Sequence, residues 1–178
     1  MAAIRLLTTE ANVKLLATLD DNLASNYLRG AIMEAQEVYL RSILGSNLLD
    51  ALKAKDAAGT LEDQYAELVN GYVQFYLAYQ ARVELLPKIA HKAGNLGVVK
   101  TDDEHCTPVS ANELAADVAE AQAKADYHCY RMQRYLLENY NLFPELRACD
   151  CRRIKANLYS AATCGIWLGG PGGGPLWP

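Results

Sequence analysis

No stretch of about 18 consecutive apolar residues occurs in the chain, so nothing in it has the length of a membrane-spanning helix. The opening MAAIRLLTTE lacks a long apolar core followed by a small-residue cleavage site, so neither membrane insertion nor export is expected. Positive charge is also scarce: 17 Lys and Arg stand against 21 Asp and Glu, a formal net charge of −4. Without a global positive field, the attraction to phosphates that supplies most non-specific nucleic-acid affinity is missing, and nucleic acid is not an expected main partner. Five cysteines are an odd number at spacings that match no small disulfide-bonded framework. Reduced thiols in a cytosolic compartment are the better reading. No serine or cysteine carries the surroundings of a known nucleophile motif, so no enzyme and no cofactor are expected.

What is present is 178 residues, 51% apolar and 21% charged, the make-up of one globular domain with room for a real core. Its apolar residues recur at helical steps. Thr8 or Thr9 is placed to cap a first helix to about Leu19, and Asp20, Asp21 and Asn22 offer a second start with acids at its positive end. Leu28, Ile32, Ala35, Tyr39 and Ile43 then step by three and four until Gly45 stops the run. A short helix from Ser46 to Lys55, carrying Leu48, Leu49 and Leu52, precedes a loop at Ala57, Ala58, Gly59 and Thr60. Tyr65, Val69, Tyr72, Tyr76, Tyr79, Val83 and Leu86 form the clearest stripe, which Pro87 is expected to end. Tyrosines at this spacing predict a buried helix seam with hydroxyls reaching its rim.

The helical period lapses between Pro87 and Pro108, where two β-compatible pieces flank Gly94-Asn95-Leu96-Gly97 and predict a short hairpin-like arm over residues 88–109. Ser110 and Glu113 form a capping-box signature before a helix of near thirty residues, with Leu114, Val118, Ala121, Ala125, Cys129, Met132 and Leu136 on one face. After the break at Phe143-Pro144, a last helix is expected from Glu145 to Thr163 on Leu146, Ile154, Leu158 and Ala161. The fold class is therefore all-α: a bundle of about five to six helices over residues 1–164, followed by an extended tail over 165–178.

Several clusters invite chemistry and have plainer explanations. Cys149 and Cys151, with Cys164, His105-Cys106 and His128-Cys129, could be assembled into a zinc site, but one residue between the first pair is a poor match to structural zinc spacing. Cys129 also falls on an apolar helix face. Asp102, Asp103, Glu104 and His105 read as a solvated turn, and His91 needs no special role. Gly94 and Gly97 neither follow a clear strand nor open a helix, so they make no phosphate loop. Arg147, Arg152, Arg153 and Lys155 suit a solvated helix face.

The tail, GIWLGGPGGGPLWP, resists a plain explanation. It holds both tryptophans of the chain among six glycines and three prolines, a composition that sustains neither helix nor central strand. Ile166-Trp167-Leu168 and Leu176-Trp177 are two apolar anchors separated by a spacer that reaches about 25 Å when extended. Tryptophan favours interface hot spots, so at least Trp177 is expected in a groove of a neighbouring chain or partner. The competing arrangement has Trp167 capping its own bundle and the last residues frayed.

Residues 20 to 52, DDNLASNYLRGAIMEAQEVYLRSILGSNLLDAL, resemble the opening helices of the head-to-tail connector (neck adaptor) family of tailed bacteriophages. GNLGVVKTDDEH at 94 to 105 and ANLYSAATCGIWLGG at 156 to 170 are similar to segments of related connector or head-completion proteins. The resemblance implies an all-helical subunit of a homo-oligomeric ring, roughly twelve copies in such families, lying between the portal protein and the tail. DNA would pass through that ring without specific recognition, and the protein would belong to the virion neck after assembly in the host cytoplasm. Arms and tails hold neighbours in these families, which implies partner contacts at Asn95 and Leu96 as well as at Ile166, Trp167, Leu168, Leu176 and Trp177. A tail-completion or stopper protein lower in the neck is the nearest alternative. A small metal-binding or regulatory helical domain using the cysteines is the alternative from another class.

Overall fold

Thr9 opens the first helix, α1 (Glu10–Leu16), by accepting a 3.2 Å hydrogen bond from the Asn12 N–H. The computed structural model describes residues 5–94, 97–100 and 110–147. These form an all-α fold with a single pair of short strands among them. Helix α1 stops before the expected Leu19, where Thr18 turns left-handed at φ 52°, and beyond it Asp20 turns the chain by accepting from the Asn22 N–H at 2.7 Å. The acids thus build a turn. The second helix, α2 (Ser25–Glu34), begins after them instead of on them.

From Ala35 to Leu40 the chain is π-helical before α3 (Arg41–Ala58) begins. A π turn absorbs an extra residue and so rotates every later position around the axis. Leu28, Ile32 and Ala35 are buried as the spacing predicts, but Leu40 and Leu44 take the places expected for Tyr39 and Ile43. Gly45, with φ 78° and ψ 162°, bends the chain within α3 in a conformation that only glycine adopts readily. Beyond it Leu48, Leu49 and Leu52 are buried, and the helix runs on through the expected loop residues Ala57 and Ala58 to a left-handed Gly59.

A second π stretch, Val69–Val73, joins α4 (Asp63–Leu68) to α5 (Gln74–Ala90). Helix α5 is the central element: α1 and α2 pack on it from one side and the later helix α6 (Ala111–Glu138) from another. Burial along α4, the π stretch and α5 is correspondingly wider than one stripe. Tyr65, Val69 and Tyr76 of the predicted seam are buried together with Leu68, Val73, Leu77, Ala81 and Leu85, whereas Tyr72, Tyr79, Val83 and Leu86 are half-buried. Pro87 does not end the helix. Its ring is exposed, and Lys88 just beyond it is ion-paired with Glu34 of α2.

The strands β1 (His91–Gly94) and β2 (Gly97–Lys100) pair antiparallel, His91 opposite Lys100 and Gly94 opposite Gly97. Helix α5 therefore occupies 88–90 of the expected arm, while 95–96 and 101–109 lie outside the described residues. The capping box is complete: the Ser110 Oγ accepts from the Glu113 N–H at 3.2 Å, and the Ser110 N–H donates to the Glu113 carboxylate at 2.9 Å. Helix α6 follows for 28 residues, ~42 Å of axis. Ala121, Ala125, Met132 and Leu136 are buried along its expected face, with Cys129 half-buried among them. Over its first ten residues only Leu114 and Val118 are even partly covered, so this end projects past the bundle. A 3-10 turn at Tyr140–Leu142 and the buried Phe143 lead into α7 (Pro144–Arg147), which packs on α3. The remainder of the expected last helix lies outside the described residues.

The first π stretch also anchors charge. Glu37 receives hydrogen bonds from Lys53, Gln36 and Arg41, the last at 2.8 Å. Burial works against its charge, but those three donors prevail and lower its carboxyl to about 2. A depressed carboxylate stabilises the fold fully above its ordinary value of 4.5, and that stabilisation fades as pH falls toward 2. At 27% side-chain exposure solvent screens part of the effect, leaving on the order of 2 kcal/mol. Wild type should exceed Glu37→Gln by that amount in denaturant unfolding at neutral pH and converge with it in acid. A gap that persists at low pH would show that the carboxylate charge is not the source.

Candidate functional site

Helix α6 meets the second π stretch and α5 through a ladder of rings. Tyr72 stacks on Tyr135 with centroids 4.4 Å apart, and His128 lies nearly parallel to both Phe75 (5.5 Å) and Tyr79 (5.2 Å). Phe143 closes the lower end, edge-on to Tyr65 at 5.5 Å. The tyrosine hydroxyls at this seam reach carboxylates: Tyr65 donates to Glu145 at 3.0 Å and Tyr135 to Glu67 at 3.0 Å. Burial, reinforced by those carboxylates, pushes both phenols up to about 12, so they remain protonated donors at neutral pH.

The histidine and cysteine of α6 serve this packing. Burial, with the Arg131 charge adding to it, lowers the pKa of His128 and favours a neutral ring between its aromatic neighbours. Burial likewise raises the Cys129 thiol to about 11, with Asp126 contributing, which leaves it a protonated apolar group. Cys149, Cys151, Cys164, His105 and Cys106 lie outside the described residues, as does the cluster Asp102 to His105. Among the described residues no group of three or more His, Cys, Asp or Glu is arranged to hold a metal ion. An open groove of about 610 Å³ borders α1, with Glu10, Lys14, Leu15, Thr18 and Asp21 in its wall. Its lysine amine donates to the Asp21 and Leu23 carbonyls at 2.6 and 3.4 Å, and the wall holds neither histidine nor cysteine.

The opposite face of α6 differs from both. Tyr127, Tyr130, Arg134 and Leu137 step by three, four and three, a second seam turned away from the bundle. Tyr127 is 59% exposed, Tyr130 49% and Leu137 40%, and Leu142 just past the helix is 47% exposed. Arg131 flanks this ridge with its guanidinium 5.4 Å from the Tyr72 ring and 5.9 Å from the Tyr127 ring, while Arg134 is paired with Glu138 at 2.8 Å. Large rings and a leucine aligned along one exposed helix face, with the ion-paired Arg134 between them and Arg131 at the margin, make a surface that a protein partner can cover.

A family model matches residues 40–156, which include the whole ring ladder and the whole exposed ridge. The chain belongs to that family, DUF6712, a family of unknown function. No curated protein and no solved structure matches the chain. The DUF6712 segment begins at the end of the first π stretch, so α1 and α2 precede it, and it stops short of the Gly/Pro/Trp tail.

The contact residues expected from the sequence, Asn95, Leu96, Ile166, Trp167, Leu168, Leu176 and Trp177, lie outside the described residues. The ridge Tyr127, Tyr130 and Leu137 was not among the sequence expectations. Its signal was present in the 3-4-3 spacing, but the stronger stripe on the other side of α6 drew the periodicity reading to the buried face. Among the described residues no helix is long and apolar enough to cross a membrane.

Proposed function

We propose that this chain is a non-enzymatic assembly protein, a head-to-tail connector that forms a ring between the portal and tail of a tailed bacteriophage. It would assemble in the host cytoplasm and reside in the virion neck. The observation that carries the reading is the outward ridge of α6, an apolar seam on a long helix that the subunit's own core leaves uncovered. A closed ring repeats one heterologous contact, which requires each subunit to present such a surface to a different surface of its neighbour. The connector-like segments at 20 to 52, 94 to 105 and 156 to 170 support the same reading. The β1–β2 arm and the tail would supply the extended contacts, with partners in the ring itself, the portal protein, and tail or stopper proteins.

Co-sedimentation with the portal ring of the encoding phage tests this. The full chain should travel with the portal, and Trp177→Ala should keep its helical circular dichroism while binding about tenfold or more weakly, as loss of a tryptophan hot spot entails. Absence of binding by the wild-type chain would contradict the connector reading. Early melting of Trp177→Ala would place that side chain in the subunit's own core.

A further inference from the structure

We propose that the α6 ridge is the receptor for the Gly/Pro/Trp tail, residues 165–178, of a neighbouring copy; the inference rests on the ring reading above. The ridge has two apolar ends, Tyr127 with Tyr130 at one and Leu137 at the other, ten residues or ~15 Å apart between Tyr127 and Leu137 along the helix. The tail has two apolar anchors, Ile166 to Leu168 and Leu176-Trp177, on a seven-residue spacer that reaches at most ~25 Å and can contract to match. The chemistry is complementary as well. The tail carries no charged side chain, so laying it on rings and leucine buries no unpaired ion. The ridge supplies Arg131 and Arg134, and indole is the best side-chain ring for a guanidinium.

The chain between Arg147 and Gly165 is 17 residues, 148 through 164, which span about 25 Å as the helix expected there. The tail adds up to about 45 Å from Gly165 to Trp177, so the two together exceed the ~42 Å axis of α6 and give the tail the reach to leave its own subunit. Segment and receptor on one chain, joined copy to copy, make a heterologous contact that propagates until the ring closes.

Both tryptophans lie in the tail, so tryptophan emission of the full chain reports on the tail alone. Emission of the wild-type protein should shift to the blue as concentration rises through the range in which sedimentation shows assembly. The double variant Tyr127→Ser/Tyr130→Ser, and separately Leu137→Ser, should require about tenfold or more higher concentration for the same shift. All three side chains are exposed, and unchanged helical circular dichroism would confirm that the variants fold. Emission that stays solvent-like at every concentration, or a shift that the ridge variants leave unaltered, overturns the docking. If rings sediment all the same, the connector reading survives that result. A blue shift present at all concentrations in a monomer shows the tail lying on its own subunit, which overturns both.

Discussion

Replacing Phe143 by alanine should cost about 3–5 kcal/mol of folding free energy, the usual range for truncating a fully buried aromatic ring. The ring is 0% exposed and sits where α6 turns into α7, T-shaped to both Tyr65 at 5.5 Å and Tyr135 at 6.2 Å. Those tyrosines come from α4 and α6, so one side chain joins the three elements. Removing it leaves a void lined by rings and loosens the hold of Glu145 on the Tyr65 hydroxyl. Denaturant unfolding followed by circular dichroism measures the loss. A cost below about 1 kcal/mol would mean that the α6–α7 turn collapses easily and lies at the margin of the core.

Gln36→Leu should cost about 2–4 kcal/mol even though it removes a polar side chain from an apolar interior. Gln36 is 0% exposed within the first π stretch; its carbonyl accepts from the Leu7 N–H at 2.9 Å and its amide donates to the Arg5 carbonyl at 2.8 Å. Leucine fills the volume but leaves the buried Leu7 N–H without its acceptor and frees the carbonyl of the exposed Arg5. The same amide also donates to Glu37, so the charge cluster with Lys53 and Arg41 loses one support. Hydrogen exchange at the Leu7 amide should quicken more than exchange in α5. Equal protection of Leu7 in both proteins would show that the N-terminal segment is held by other contacts.

The helical fold was largely legible because its signals are local. The Thr9 cap, the Ser110–Glu113 box and the left-handed Gly59 depend on neighbours a few residues away, and the 121/125/132/136 face of α6 follows from spacing alone. The two π stretches were not legible. An inserted residue leaves propensity unchanged and alters only phase, which is why Tyr39 and Ile43 were expected where Leu40 and Leu44 are buried. Pro87 illustrates the other limit: a preference against helix before proline yields where the ring itself is exposed and the next residue is tied to a second helix. The candidate site was half legible. Composition singled out the tail, but its proposed receptor on α6 required knowing which of two helix faces the bundle covers.

Electron microscopy of the full chain mixed with a portal ring from a tailed phage that encodes it tests the proposed connector role most directly. The account requires end-on averages to show a closed ring of one uniform copy number, coaxial with the portal, with α6 of each subunit against density from its neighbour. Portal rings without added density, beside a chain that stays monomeric, would contradict it.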